Sequence, residues 1–148
     1  MAKTRFVHCI VETNQSPVVV FQIMEQSLRL HTGGHVMRNR NVFEVQNATK
    51  NVTMFGSRIN GMVYITSPQK GVLEVNGEIR VVAMPLGVIF AVSLALCLPF
   101  IGAILVVILL VISNSKQPEA PFQSALSDFE KRLWLAERYD PNNPPVVG

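Results

Sequence analysis

Residues Val81 to Ser115 form thirty-five positions without one Asp, Glu, Lys or Arg, closed by Arg80 on one side and Lys116 on the other. A helix needs roughly 20 apolar residues to cross about 30 Å of hydrocarbon, and this run exceeds that length. It therefore predicts a transmembrane segment over 81–115. As one helix from Val82 to Ser113 it would be about 48 Å long at about 1.5 Å per residue, kinked where Pro99 and Gly102 interrupt it. The alternative is a helical hairpin broken at Leu98 to Gly102, whose two short arms dip into the bilayer and return. One basic residue at each end leaves the flanking charges without a preference. The small residues Gly87, Ala91, Ala95 and Gly102, with the kink at Pro99, would let a second helix approach closely. They are the candidate membrane contact for a homo-oligomer or a partner. No ionisable group lies at depth, so the run offers no transport path.

The remaining chain has room for one small soluble domain. Residues 1–80 carry nine Lys or Arg against five Glu, whereas 116–148 carry four against five Asp or Glu. The basic balance of the first part suits the cytoplasmic face of a cell membrane. It is too small for nucleic-acid recognition. Cys97 lies inside the apolar run and Cys9 outside it, so no disulfide is expected, in keeping with a reducing compartment. The N-terminus has no apolar core of a secretory signal, which leaves targeting to the internal run. Sequons at Asn14, Asn47 and Asn51 read as chance products of Asn-rich turns beside Ser and Thr.

Outside the run the patterning predicts an α+β domain over 1–80. Residues 4–12 alternate, with Val7, Cys9 and Val11 on one face, and read as a strand. Ser16-Pro17 opens a helix with Ser16 at the N-cap. Val20, Phe21, Met24 and Leu28 form its inner stripe, and Gly33-Gly34 stops it. From residue 35 the period becomes two. Strands are expected at 42–45, 52–59, 62–66 and 73–80, with a hairpin turn at Asn60-Gly61 and another turn at 67–71. One amphipathic helix on one face of a mainly antiparallel sheet buries both stripes.

Past Lys116 the Pro-containing stretch Gln117 to Pro121 breaks the chain. A second amphipathic helix follows over 122–138, with Ser127 to Glu130 fitting a capping box. Phe122, Leu126, Phe129 and Leu133 recur on one side, with Trp134 at the edge. Such a helix lies on a headgroup surface, packs on a partner or folds back on its own sheet. These five residues are the candidate partner-binding stripe.

Chemistry is sparse. His8, Cys9, His31 and His35 are the soft ligands outside the run, but they lack metal-site spacing. The Thr32-Gly33-Gly34-His35 glycines follow a helix where a phosphate cradle would precede one. No nucleophile stands at a recognisable spacing from a base. No cofactor, metal or catalytic residue is expected, and the reading is non-enzymatic.

The order of these parts, from the Ser-Pro helix start and Gly-Gly stop through the strands and apolar run to Phe122-Gln123-Ser124-Ala125-Leu126, resembles small uncharacterised bacterial membrane proteins with an N-terminal α/β domain. The resemblance implies no activity and no catalytic residues. The expected function is a membrane-anchored binding, adaptor or accessory protein. The alternative is a lipid or small apolar ligand held between helix and sheet.

Overall fold

The structure, a computed structural model, describes residues 3–48, 57–83 and 118–138, together with Val92, Leu96, Phe100, Ile101 and Ile104. The chain runs β1 (Lys3–Glu12), α1 (Pro17–Thr32), β2 (His35–Asn39), β3 (Val42–Gln46), β4 (Ser57–Gln69), β5 (Val72–Ala83) and α2 (Ala120–Arg138). The fold is α+β. Its five strands form one antiparallel sheet in the order β1-β5-β4-β3-β2.

β1 follows directly from its alternation. Val7 and Val11 are buried, whereas Phe6 and Ile10 stand out from the other face. α1 spans the predicted residues. Ser16 occupies the N-cap without a side-chain cap bond, Pro17 takes the first turn, and Gly33 closes the helix in the left-handed conformation at φ 64. That conformation is one a side chain would resist. The helix buries Val20, Met24 and Leu28 as expected, with Phe21 only half covered. Ser27 and Thr32 are buried too.

The meander has four strands, but not the four that patterning indicates. His35–Asn39 is a strand in its own right, turning at Arg40-Asn41 into β3. Asn60-Gly61 makes no hairpin. It lies within β4, where Gly61 pairs with both Val45 and Ile79. The pair has tertiary employment instead: Asn60 Oδ1 accepts the Asn47 N–H at 3.0 Å, and Gly61 leaves room for the Phe122 ring. Of the strand expected at 52–59, residues 52–56 lie outside the described residues, including Gly56. The turn near 67–71 does form, tightening at Gly71 (φ 83) after a register shift between Thr66 and Gln69.

β5 continues past Arg80 to Ala83, so Val81, 7 % exposed, belongs to the sheet and not to the apolar segment. Among the described residues no helix is long and apolar enough to cross a membrane. Most of the 81–115 run lies outside the described residues.

α2 starts at Ala120, two residues before the expected position, with the Gln123 N–H donating to Glu119 C=O at 2.9 Å. The capping box at Ser127 is therefore interior to the helix and caps nothing. α2 lies beside α1 on one face of the sheet. Phe122, Phe129 and Leu133 join Met24, Leu28, Phe43 and Ile79 in one core, all at most 1 % exposed. Among the described residues no element covers the opposite sheet face.

Candidate binding surface at the β1 edge

β1 is an end strand, and its parity decides what it presents. The Thr13 N–H donates to the Gly71 carbonyl at 2.9 Å, and the ladder pairs Val11 with Leu73, Cys9 with Val75 and Val7 with Gly77. Backbone groups alternate sides along a strand. The odd residues therefore bond β5, and Thr4, Phe6, His8, Ile10 and Glu12 turn their N–H and C=O groups outward. All five are exposed. The side chains of Phe6 and Ile10, 75 % and 61 % exposed, flank that backbone on the open sheet face.

On the helix side the same edge borders α2 across an open groove of about 640 Å³, lined by Ile10, Val11 and Glu12 from β1 and by Ser127, Glu130, Lys131, Trp134 and Glu137 from α2. It continues along the strand as a second hollow of about 390 Å³ that reaches Phe6 and Gln123. Its charged lining residues are Glu12, Glu130, Glu137 and Lys131. Glu137 Oε1 accepts the Asn14 N–H at 2.7 Å, which ties the end of α2 to the loop after β1. Trp134 is 55 % exposed, with the Arg138 guanidinium 4.9 Å from its ring centroid.

Of the stripe Phe122, Leu126, Phe129, Leu133 and Trp134, the first four are at most 5 % exposed within the domain's own core, Trp134 lines the groove, and Leu126 lines its continuation. The stripe was legible as amphipathic. Its occupant is the sheet of the same chain. Gly87, Ala91, Ala95, Pro99 and Gly102 lie outside the described residues.

The soft ligands are not brought together. His8 Nε2 meets Glu74 Oε1 at 3.2 Å on the open face, and Cys9 turns to the helix side. His31 sits at the helix interface, and His35 opens β2 at the far edge. Among the described residues no three His, Cys, Asp or Glu side chains cluster as a metal site would require. The Glu74 carboxyl is held below its ordinary value by hydrogen bonds from Asn76 and His8. Burial pushes the Cys9 thiol upward, and the Glu130 charge adds to this.

Patterning also missed a polar knot between the helices. Asp128 Oδ2 accepts Ser27 Oγ at 2.9 Å and Arg132 Nε at 2.7 Å, and faces His31 Nε2 at 3.5 Å. Burial alone would raise the Asp128 carboxyl. The bonds from Ser27 and Arg132 and the charges of Arg132 and His31 outweigh it and hold the group low. The polar residues Ser27 and His31, one turn apart on α1, are the signal the sequence offers for it.

No protein-family model and no curated protein matches this chain.

Proposed function

We propose that this chain is a membrane-anchored, non-enzymatic binding module that recruits a protein partner by accepting an extended segment of it as a sixth strand beside β1. The observation that carries this reading is the ten-residue end strand whose outward backbone groups are flanked by exposed Phe6 and Ile10. Long, exposed, apolar edges are templates for strand addition, and folded proteins ordinarily shield them. The acidic residues Glu130 and Glu137 of α2, with Glu12 at the strand edge, favour a segment that alternates apolar with basic residues. The apolar run provides attachment to a lipid bilayer, and the basic balance of residues 1–80 favours the cytoplasmic face.

A ligand held between α1 and the sheet is less well supported. Val20, Met24, Leu28 and Phe43 fill that layer at no more than 2 % exposure. The hollow left at the N-terminal end of α1 is about 210 Å³, below the roughly 300 to 1,000 Å³ of ordinary ligand pockets.

The test uses the detergent-solubilised full chain and two labelled ten-residue peptides, one alternating Val with Lys and one alternating Val with Glu. Fluorescence anisotropy is expected to show the Lys peptide binding about tenfold more tightly, about 1.4 kcal/mol. Ile10→Pro should abolish binding while leaving the fold intact, because the proline removes an outward N–H that the sheet does not use. Equal binding of the two peptides, or binding unchanged by Ile10→Pro, would sink the proposal.

A further inference from the structure

The core of this domain is built from both sides of the apolar run. β5 leaves the sheet at Ala83, opposite Ser57, and the chain returns at Pro118, which is buried, to start α2. Phe122 lies over Gly61, and Gly61 pairs with Ile79. Four residues before the exit and four after the return, the two parts of the chain therefore meet over one position of the sheet. Four strand residues reach about 13 Å and four helical ones about 6 Å. Adding about 5 Å across the ladder and about 10 Å between packed layers, the ends of the intervening segment stand within roughly 35 Å of each other on one body.

A single helix over 84–117 would instead carry its ends about 50 Å apart and place about 30 Å of hydrocarbon between them. α2 would then be on the other side from the sheet it covers, and Phe122, Phe129 and Leu133 would leave an open apolar face behind. One crossing and this core exclude each other.

Resting on the membrane reading above, we infer that the run enters and leaves the bilayer through the same leaflet as a re-entrant hairpin, with the sheet, α1 and α2 all on one side. Among the described positions of the run Val92, Leu96, Ile101 and Ile104 are helical, and the helical pattern is interrupted at Phe100. Phe100 is in a turn, Ile101 is helical, and the Ile104 N–H donates to the Phe100 carbonyl at 3.4 Å. Pro99, just before, has no N–H that would need a partner in hydrocarbon. Phe100 is 85 % exposed and Ile104 62 %, so the domain does not cover these apolar side chains. Were they helical, arms over 84–98 and 100–117 would extend only about 23 and about 27 Å, short of the far headgroups.

The test places single cysteines at Val82, Phe100 and Ser124 of the full-length protein carrying Cys9→Ser and Cys97→Ser, and labels sealed vesicles of both orientations with a membrane-impermeant maleimide after a carbonate wash. Val82→Cys and Ser124→Cys should label from the same side only, with Phe100→Cys protected from both. In the unmodified protein, trypsin should reach Lys70 and Arg138 from one side alone, which covers a variant that fails to fold. Labelling of positions 82 and 124 from opposite sides would overturn the hairpin and leave the anchor in place. Labelling of position 100 from the side opposite 82 would overturn the single-leaflet geometry. Release of the protein by carbonate would overturn the membrane reading itself.

Discussion

The ring of Phe122 closes over Gly61 so tightly that a Cβ at position 61 would lie 2.6 Å from Phe122 Cζ. This contact joins the first turn of α2 to the centre of β4, across the apolar run. Gly61→Val should therefore overpack the core and cost about 1–3 kcal/mol, and Phe122→Ala, which empties the site, about 3–5 kcal/mol. In the Phe122→Ala background Gly61→Ala should cost clearly less than it does alone, because the two residues share one space. Urea unfolding of the solubilised chain measures all three, and additive costs would show the contact to be absent.

Asp128 makes stability depend on pH. Its carboxyl is held below the ordinary value when folded, so the contribution is complete above the unfolded value of about 3.9 and is lost as pH falls through the lower folded value. Denaturant midpoints taken downward from pH 6 should fall steeply below about pH 4 in the native protein. The corresponding slope should be shallower in Asp128→Asn.

Cys9 should alkylate slowly. Burial raises its thiol and the Glu130 charge raises it further, so little thiolate forms near neutrality. In a Cys97→Ser background Glu130→Gln removes the second cause. The rate of iodoacetamide reaction at pH 8 should rise, with the rate–pH profile displaced to lower pH. An unchanged profile would place Glu130 out of electrostatic reach.

The apolar stripe of α2 should divide sharply. Leu126→Asp or Phe129→Asp puts an unpaired carboxylate into the core and should cost about 4 kcal/mol or more, a large share of the 5–15 kcal/mol typical of a folded domain. Trp134→Ala, at the groove, should stay within about 1 kcal/mol of the native protein while weakening the Val-Lys peptide. Thermal unfolding and anisotropy on the same samples separate the two effects.

Local patterning carried much of this fold because local physics decided it. Alternation at 4–12 gave β1 and the identity of its buried face. Ser16-Pro17 and Gly33 bounded α1 within the chain's own dihedral preferences, and the four-three-four spacing of Phe122, Leu126, Phe129 and Leu133 gave α2 and its apolar side. In the meander the strands expected at 42–45 and 73–80 lie within β3 and β5, whereas β2 was missed and the strand at 62–66 joins the described end of that at 52–59 in one strand, β4. Asn60-Gly61 has the composition of a tight turn, and nothing within a few residues of it says otherwise. It stays extended because it is paired on both sides, Gly61 with Val45 of β3 and Ile79 of β5, with the ring of Phe122, sixty-one positions further on, in the space beside it.

Composition alone marks Val81 to Ser115 as an uncharged run, but its first three residues are the end of β5, which no count of charges could tell. What faces what was settled only by tertiary structure. Two apolar helices needed cover, and one sheet face could bury both. That packing placed Ala83 and Pro118 on one body, committed the α2 stripe to the interior and left β1 as an uncovered end. Contacts between residues far apart in sequence leave no periodic trace in it, so the edge and the groove beside it became visible only once the chain was folded.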